Sequence, residues 1–250
     1  VRDDHHRQLA SSFGSVADVY ERSRPGYPLE AVRWLVGERP ARVLDLGAGT
    51  GKLTRTLLDA GHDVVAVDPS EPMLAHLSAA SPSADVKVGT AEAIPVPDAD
   101  VDVVVVAQAF HWFDHDVALP EIARVLKPGG WLALVWNFRD ASVPWVDELW
   151  TMINPEEPQR IDYTDVTEGT ALGASEWFGP VESATFQHSQ QLGGQGLLDL
   201  VTSRSYVAIQ SPEERAPLLD AVRAVYARQA TADGVVLPYV TYCFRAPVVR

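Results

Sequence analysis

At 250 residues, 46% apolar and 22% charged, the chain is long enough for one sizeable core with a small cap. Its formal charge of −14 argues against a nucleic-acid backbone as partner, because such binding draws on clustered Lys and Arg. No apolar run approaches the roughly 18 residues that span a bilayer, and the start Val1-Arg2-Asp3-Asp4-His5-His6 lacks the apolar core of a secretory signal, so neither membrane nor secretion is expected. The one cysteine, Cys243, permits no internal disulfide and reads as a packed thiol in a strand, compatible with a reducing cytoplasm.

Leu9, Phe13, Val16, Ala17 and Tyr20 recur at helical spacing until Arg24-Pro25-Gly26-Tyr27-Pro28 breaks the pattern, and a second helix is expected from Leu29 to Val36. The most informative stretch follows: Ala41-Arg42-Val43-Leu44-Asp45-Leu46-Gly47-Ala48-Gly49-Thr50-Gly51-Lys52. An apolar run suited to a buried strand ends in three alternate glycines and passes into the amphipathic pattern Leu53, Leu57, Leu58, which predicts strand, tight turn and helix. Such a turn lets a ligand sit against the main chain, with the N–H groups of the helix start aimed at it. A phosphate-binding P-loop would need glycine where Leu46 stands and a hydroxyl where Leu53 stands, so that reading fails twice. A dinucleotide fingerprint fails once, at Lys52, where close helix packing wants glycine. An acid two positions before the first glycine, Asp45-x-Gly47-x-Gly49-x-Gly51, fits the stretch without repair.

The next strand, Asp63 to Asp68, ends in a carboxylate 19 positions after Gly49. Open α/β folds place an acid at that interval to accept both ribose hydroxyls; the competing reading makes Asp68 a helix N-terminal residue before Met73-Leu74-Ala75. Met73 either packs on an adenine face or belongs to the core. A short third strand, Asp85 to Gly89, leads into Thr90-Ala91-Glu92-Ala93-Ile94-Pro95. Val101 to Ala107 is an almost unbroken β-branched run, expected where both sheet faces are covered. Its carboxyl end delivers Gln108-Ala109-Phe110-His111-Trp112-Phe113-Asp114 to the same crevice as the glycine turn. His111 is the side chain there that could move a proton near neutral pH; lining a pocket and a purely structural role are the alternatives.

Leu119 to Leu126 reads as a helix halted by Lys127-Pro128-Gly129-Gly130, with a fifth strand from Trp131 to Trp136. Past Asn137 the alternation loosens into a helix at Trp145 to Ile153, a strand at Val181 to Leu192, helices at Leu197 to Ile209 and Pro212 to Ala230, and a last strand from Val235. Two helices inserted before a last strand suggest a cap over the strand ends, where Trp136, Trp145, Trp150 and Tyr206 either line a pocket or pack the core.

The acid-and-glycine turn, the Gly89-x-Ala91-Glu92 loop and the Leu126-Lys127-Pro128-Gly129-Gly130 turn resemble, in order and interval, the motifs of class I methyltransferases that use S-adenosylmethionine, of the type 11 domain. Phe13-Gly14-Ser15-Val16-Ala17-Asp18-Val19-Tyr20 with Arg24-Pro25-Gly26-Tyr27-Pro28 is similar to the N-terminal lid of small-molecule enzymes related to trans-aconitate methyltransferase, and Phe110-His111-Trp112-Phe113 looks like a feature of the same group. The resemblance covers about residues 10 to 140.

The resemblance implies a Rossmann-like α/β fold: a seven-stranded, mostly parallel sheet with helices on both faces, a helical N-terminal lid and a helical insertion near the C-terminus. Residues 1–250 are then a single domain, with lid 9–38, cofactor-binding core 41–137, cap 138–234 containing strand 181–192, and last strand 235–246. It further implies methyl transfer from S-adenosylmethionine to a small-molecule acceptor by direct displacement in a capped pocket, leaving S-adenosylhomocysteine. Around the cofactor it places Tyr20 and Arg24 of the lid, Asp45, Gly47, Ala48 and Gly49 of the turn, and Asp68, Pro69 and Met73 after the second strand. Ala91 contributes a backbone amide over adenine with Glu92 nearby, and Ala107 and Gln108 end the fourth strand. Tyr27, His111, Trp112, Trp136 and Tyr206 face the acceptor; Arg22 and Arg24 either pair with an anionic acceptor or lie in surface pairs. No metal is implied, the location expected is the cytoplasm, and the assembly is a monomer or homodimer. A nicotinamide-dependent oxidoreductase and a protein that binds S-adenosylmethionine without turnover are the alternatives.

Overall fold

The computed structural model describes residues 23–153, 172–204, 207 and 209–249. The lid segment before Ser23, with Tyr20 and Arg22, and Tyr206 lie outside the described residues. In chain order the elements are α1 (Leu29–Val36), β1 (Arg42–Leu46), α2 (Lys52–Asp59), β2 (Asp63–Asp68), α3 (Glu71–Ala80), β3 (Asp85–Val88), β4 (Val101–Ala107), α4 (His115–Val125), β5 (Leu126–Arg139), α5 (Pro144–Ile153), β6 (Glu182–Leu192), α6 (Gly194–Thr202), α7 (Pro212–Gln229) and β7 (Val235–Pro247). The strands form one seven-stranded sheet in the order β3-β2-β1-β4-β5-β7-β6. β3, β2, β1, β4 and β5 pair in parallel, with Leu46 opposite Val67 and Asp45 opposite both Ala66 and Val105.

From β1 the chain adds β2 and β3 on one side and then β4 and β5 on the other, so the strand order reverses between β1 and β4. A crevice opens at the carboxyl ends of strands at such a reversal, and the glycine turn sits there. β-Branched residues make this sheet: Val64, Val65 and Val67 in β2 and Val103 to Val106 in β4 are all buried, as a sheet covered on both faces requires.

The chain divides into two compact units. The described residues of the larger unit fall within Gly26–Asn137, Asp162–Phe186 and Thr241–Arg250, and those of the other within Val1–Pro25, Phe138–Ile161 and Gln187–Val240. In the larger unit Ala31, Val32, Leu35 and Val36 of α1 join Leu53 and Leu57 of α2 over Val43, Val103, Val105, Val135 and Cys243. Full burial of a Leu or Val stabilises by about 1.5–3 kcal/mol, so the apolar stripe of α1 and α2, more than their helix propensity, fixes them to the sheet. Cys243 is the packed strand thiol that its surroundings imply, with burial pushing its pKa up to about 12. The second unit has its own core, built from Val146 and Leu149 of α5, Leu197, Leu200 and Val201 of α6, Val222 of α7 and Val235, Leu237 and Tyr239 of β7. Ser211 and Glu214 close a reciprocal capping box at the start of α7, in agreement with the predicted helix start.

The helix expected from Leu197 to Ile209 runs instead over Gly194–Thr202 with Ser203 as its C-cap, and two further boundaries differ for identifiable reasons. The helix expected from Leu119 begins one turn earlier, at His115, and carries Pro120 in its interior. Its start is supported from a distance, because Glu92 Oε1 accepts the Asp114 N–H at 3.0 Å. The Lys127-Pro128-Gly129-Gly130 turn is an irregularity inside β5 rather than a linker before it. Leu126 already pairs with Val101, and Val248 N–H donates to Gly130 O at 2.9 Å. A Cβ on Gly130 would lie 2.6 Å from Asp102 O, so the backbones approach too closely there for any other residue.

No helix among the described residues is long and apolar enough to cross a membrane. A well-defined packing constraint lies at Gly51, the N-cap of α2, where φ is +83° and a Cβ would meet Leu77 Cγ at 2.6 Å. Gly51→Ala is therefore expected to lose about 2–4 kcal/mol, the sum of left-handed strain and overpacking, and to lower the thermal midpoint by several degrees. An unchanged midpoint would contradict this account of the turn.

Candidate functional site

The turn after β1 is stitched to the carboxyl end of β2 by three N–H groups. Gly47 and Ala48 both donate to Val67 O, at 2.8 and 3.1 Å, and Gly49 donates to Asp68 Oδ2 at 2.9 Å. The chain can make this turn because Gly47, Gly49 and Gly51 all have positive φ. At Gly47 the space is also limiting: a Cβ would lie 2.7 Å from Ala109 Cβ. The turn is thus wedged between the end of β2 and Ala109, just past the end of β4.

Asp68 is 8% exposed, and its Oδ1 accepts the Ser70 N–H at 2.8 Å. Asp68 therefore supports the approach to α3, whose N-cap is Ser70, and is tied to the turn 19 residues earlier in the chain. Burial raises its pKa, and the two amide bonds oppose that shift. Each carboxylate oxygen retains acceptor capacity beyond the one bond it makes here. Met73 is buried, with its Sδ 3.6 Å from where a Gly49 Cβ would be, and Pro69 is exposed.

Asp45 is wholly buried beneath the turn. Thr54 Oγ1 donates to its Oδ2 at 2.6 Å, tying β1 to α2, while Oδ1 is a buried acceptor without a donor. Burial, and secondarily the nearby Asp68, push its pKa from the usual 3.8 up to about 7, against the Thr54 hydrogen bond.

At the end of β4, Gln108 holds a left-handed conformation, φ +59°, which costs a non-glycine residue roughly 1–2 kcal/mol. Its N–H donates to Val135 O and its Nε2 to Asn137 O. Asn137 in turn donates from Nδ2 to Gly26 O at 2.9 Å and accepts from Thr241 Oγ1 at 2.7 Å, so it ties β5, β7 and the segment before α1 together. Asn137 and Thr54 stand in no motif, and their partners lie 29, 104 and 111 residues away for Asn137 and 9 for Thr54, so local pattern does not single them out.

His111 and Trp112 lie on a single 3-10 turn and are exposed, with ring centroids 4.9 Å apart. His115, which the sequence did not single out, stacks on Phe110 at 4.4 Å with Nε2 3.0 Å from Phe110 O. Trp136 is buried between Phe110 and Phe244. Tyr27 is half-buried against the core of the larger unit. Ala91 is buried, and Glu92 is committed to the Asp114 N–H at its Oε1. In the second unit Arg24 donates to Ser203 Oγ and O, and Trp150 carries the guanidinium carbons of Arg204 and Arg139 at 4.7 and 5.2 Å from its ring centroid. The structure thus gathers Asp45, Gly47, Ala48, Gly49, Asp68 and Met73 around one turn.

The glycine turn lies at the strand-order reversal with a carboxylate ending the adjacent strand, the place where open α/β folds bind ligands. Residues 44–134 match the family described as "Methyltransferase domain". An uncharacterised methyltransferase of Mycobacterium tuberculosis is 47% identical, with 96% of this chain and 97% of that protein aligned. An uncharacterised methyltransferase-like protein of Schizosaccharomyces pombe is 35% identical across 92% of both. Among solved structures, one of a protein from Anaeromyxobacter dehalogenans superposes with a TM-score of 0.68 at 26% identity, covering 91% of this chain and 97% of that one. The chain belongs to this methyltransferase family, which removes the nicotinamide-dependent alternative.

Asp45 gives the site a pH signature. Its folded pKa lies above the unfolded value, so its contribution to stability is intact below about pH 4, declines as pH rises, and has fully declined above about pH 7, by at most about 4 kcal/mol. Asp45→Asn keeps an acceptor for Thr54 and carries no charge. Relative to the parent chain, this variant should gain about 2 kcal/mol between about pH 5 and about pH 8 in chemical denaturation. A constant difference across that range would contradict a buried, hard-to-ionise Asp45.

Proposed function

We propose that this methyltransferase takes its methyl group from S-adenosylmethionine and transfers it to a small-molecule acceptor. The observation that carries the reading is the union of the turn and the acid at the strand-order reversal: Gly49 N–H on Asp68 Oδ2. The residues present suit the cofactor. Asp68 has acceptor capacity for a ribose diol, the Met73 thioether beside Gly49 offers an apolar face for adenine, and Asp45 Oδ1 is a buried acceptor still wanting a donor.

When bound, S-adenosylmethionine supplies a methyl group already activated on a sulfonium. What the protein adds is alignment. Asp68 fixes the sugar, the Ala91 amide and Glu92 border the base, and Gly47 to Gly49 with Ala107 and Gln108 set the height at which the acceptor must arrive. Holding an acceptor atom in line at about 3–3.5 Å removes several kcal/mol of the barrier, and exclusion of water protects its nucleophilicity. A proton has to be moved only when the acceptor brings one, and His111 on its exposed turn is the group suited to take it. The acidic surface, at −14, favours a small metabolite over a nucleic acid.

Isothermal titration with S-adenosylhomocysteine tests the reading. The parent chain should bind saturably, and Asp68→Ala should weaken binding by about two orders of magnitude, since a hydrogen bond to a charged group is worth about 1.5–3 kcal/mol. Equal affinity in parent and variant would contradict the assignment of Asp68. Formation of S-adenosylhomocysteine across a panel of small acceptors then separates an enzyme from a protein that only binds.

A further inference from the structure

The segment between β3 and β4 carries Ala91 and Glu92 but has no regular secondary structure of its own beyond the bridge between Thr90 and Ala93. It is nevertheless held at every corner. At its start, Gly89 N–H donates to Asp68 O at 3.3 Å, and a Cβ on Gly89 would lie 2.5 Å from Pro95 Cδ and 3.2 Å from Val67 Cγ1. In its middle, Glu92 accepts the N–H of Asp114. Its far end is gripped by one guanidinium on the last turn of α4.

Arg124 donates from Nε and Nη2 to the two carboxylate oxygens of Glu121, both at 2.8 Å, a bidentate fork within one helical turn. The same group donates from Nη2 to Ile94 O at 3.0 Å, and from Nη1 to Val96 O at 2.9 Å and Asp98 Oδ1 at 2.7 Å. Glu121 Oε2 also accepts the Ile94 N–H at 3.2 Å. Both backbone groups of Ile94 are therefore bonded to this pair, and Ile94 and Val96 are buried beside it. These bonds hold the Glu121 carboxyl below its usual pKa. Five donations from one planar group are what a lysine cannot reproduce, because its ammonium is a point charge with three donors.

We infer that Arg124, locked by Glu121, is a positioning residue for the adenine end of the cofactor: it presets the Ala91-Glu92 segment in its binding conformation without touching the cofactor itself. This rests on the reading given under Proposed function. A preset segment spares the ligand the ordering cost that a loose one would draw from its affinity. The effect falls chiefly on the base, because the segment meets Asp68 through the Gly89 N–H on its main-chain oxygen, whereas the sugar is assigned to the Asp68 carboxylate, held by Gly49 and Ser70.

The experiment compares two probes on the intact chain, S-adenosylhomocysteine and S-ribosylhomocysteine, which lacks adenine. Arg124→Lys should raise the Kd for S-adenosylhomocysteine about tenfold and leave that for S-ribosylhomocysteine within about twofold, with faster amide exchange at residues 91–96 in the ligand-free variant and parent-level protection once S-adenosylhomocysteine saturates it. Glu121→Gln, which keeps the size and weakens the fork, should follow in the same direction and serves where the lysine variant does not fold. Equal weakening of both probes, or an unchanged Kd for S-adenosylhomocysteine in a folded variant, overturns the positioning role and leaves only a structural one. Failure of the parent chain to bind S-adenosylhomocysteine overturns this inference together with the reading beneath it.

Discussion

One hydrogen bond organises the molecule's functional end: the Gly49 N–H on Asp68 Oδ2. It joins a turn that follows β1 to an acid that ends β2, and it forms only because the two strands run parallel in a register that sets Leu46 beside Val67. That register is in turn held by a sheet whose β-branched residues are buried on both faces. A slip of one residue would carry the Asp68 side chain to the other face of the sheet and leave the Gly49 amide without its acceptor. Packing in the core thus fixes, at a distance, the geometry of a polar site at its edge.

The two ends of the sheet use charge differently. At the amino ends, Arg42 pairs with Asp63 and Asp100, its N–H meets Asp102, and Lys127 meets the other oxygen of Asp102. These pairs are partly exposed and each is worth little, at most about 1 kcal/mol, so their role is to tie together the starts of β1, β2, β4 and β5. At the carboxyl ends the carboxylates of Asp45 and Asp68 are buried, and burial is the leading cause of the raised pKa of both. Sequestered acids of this kind oppose folding at neutral pH. Keeping Asp45 and Asp68 beneath and beside the turn makes sense where a ligand uses the acceptors they hold.

The part of this arrangement that was legible in the sequence is the part carried by local patterning. α1 falls at the predicted Leu29–Val36, β4 at Val101–Ala107 and β2 at Asp63–Asp68, because an amphipathic stripe or a β-branched run declares itself within a few residues. The acid-and-glycine turn was legible for the same reason. What was hidden depends on partners far along the chain: the start of α4, where a distant Glu92 caps Asp114; the continuation of β5 through two glycines, where the Asp102 carbonyl leaves no room for a side chain at Gly130; and Asn137, whose three partners come from three separate segments. Arg124 belongs with these, because its fork on Glu121 is visible at helical spacing while its hold on Ile94 and Val96 is not. Trp136, expected to face the acceptor, packs edge-on against Phe110 and Phe244, partners 26 and 108 residues away.

The account's central claim is that a ribose rests on Asp68 above the turn that Gly49 anchors. A crystal structure of the chain grown with S-adenosylhomocysteine addresses it most directly. The account requires both sugar hydroxyls within hydrogen-bonding distance of the Asp68 carboxylate, with the Gly49 amide still on the same group. Density for the ligand elsewhere, with Asp68 bonded only to Gly49 and Ser70, would contradict it.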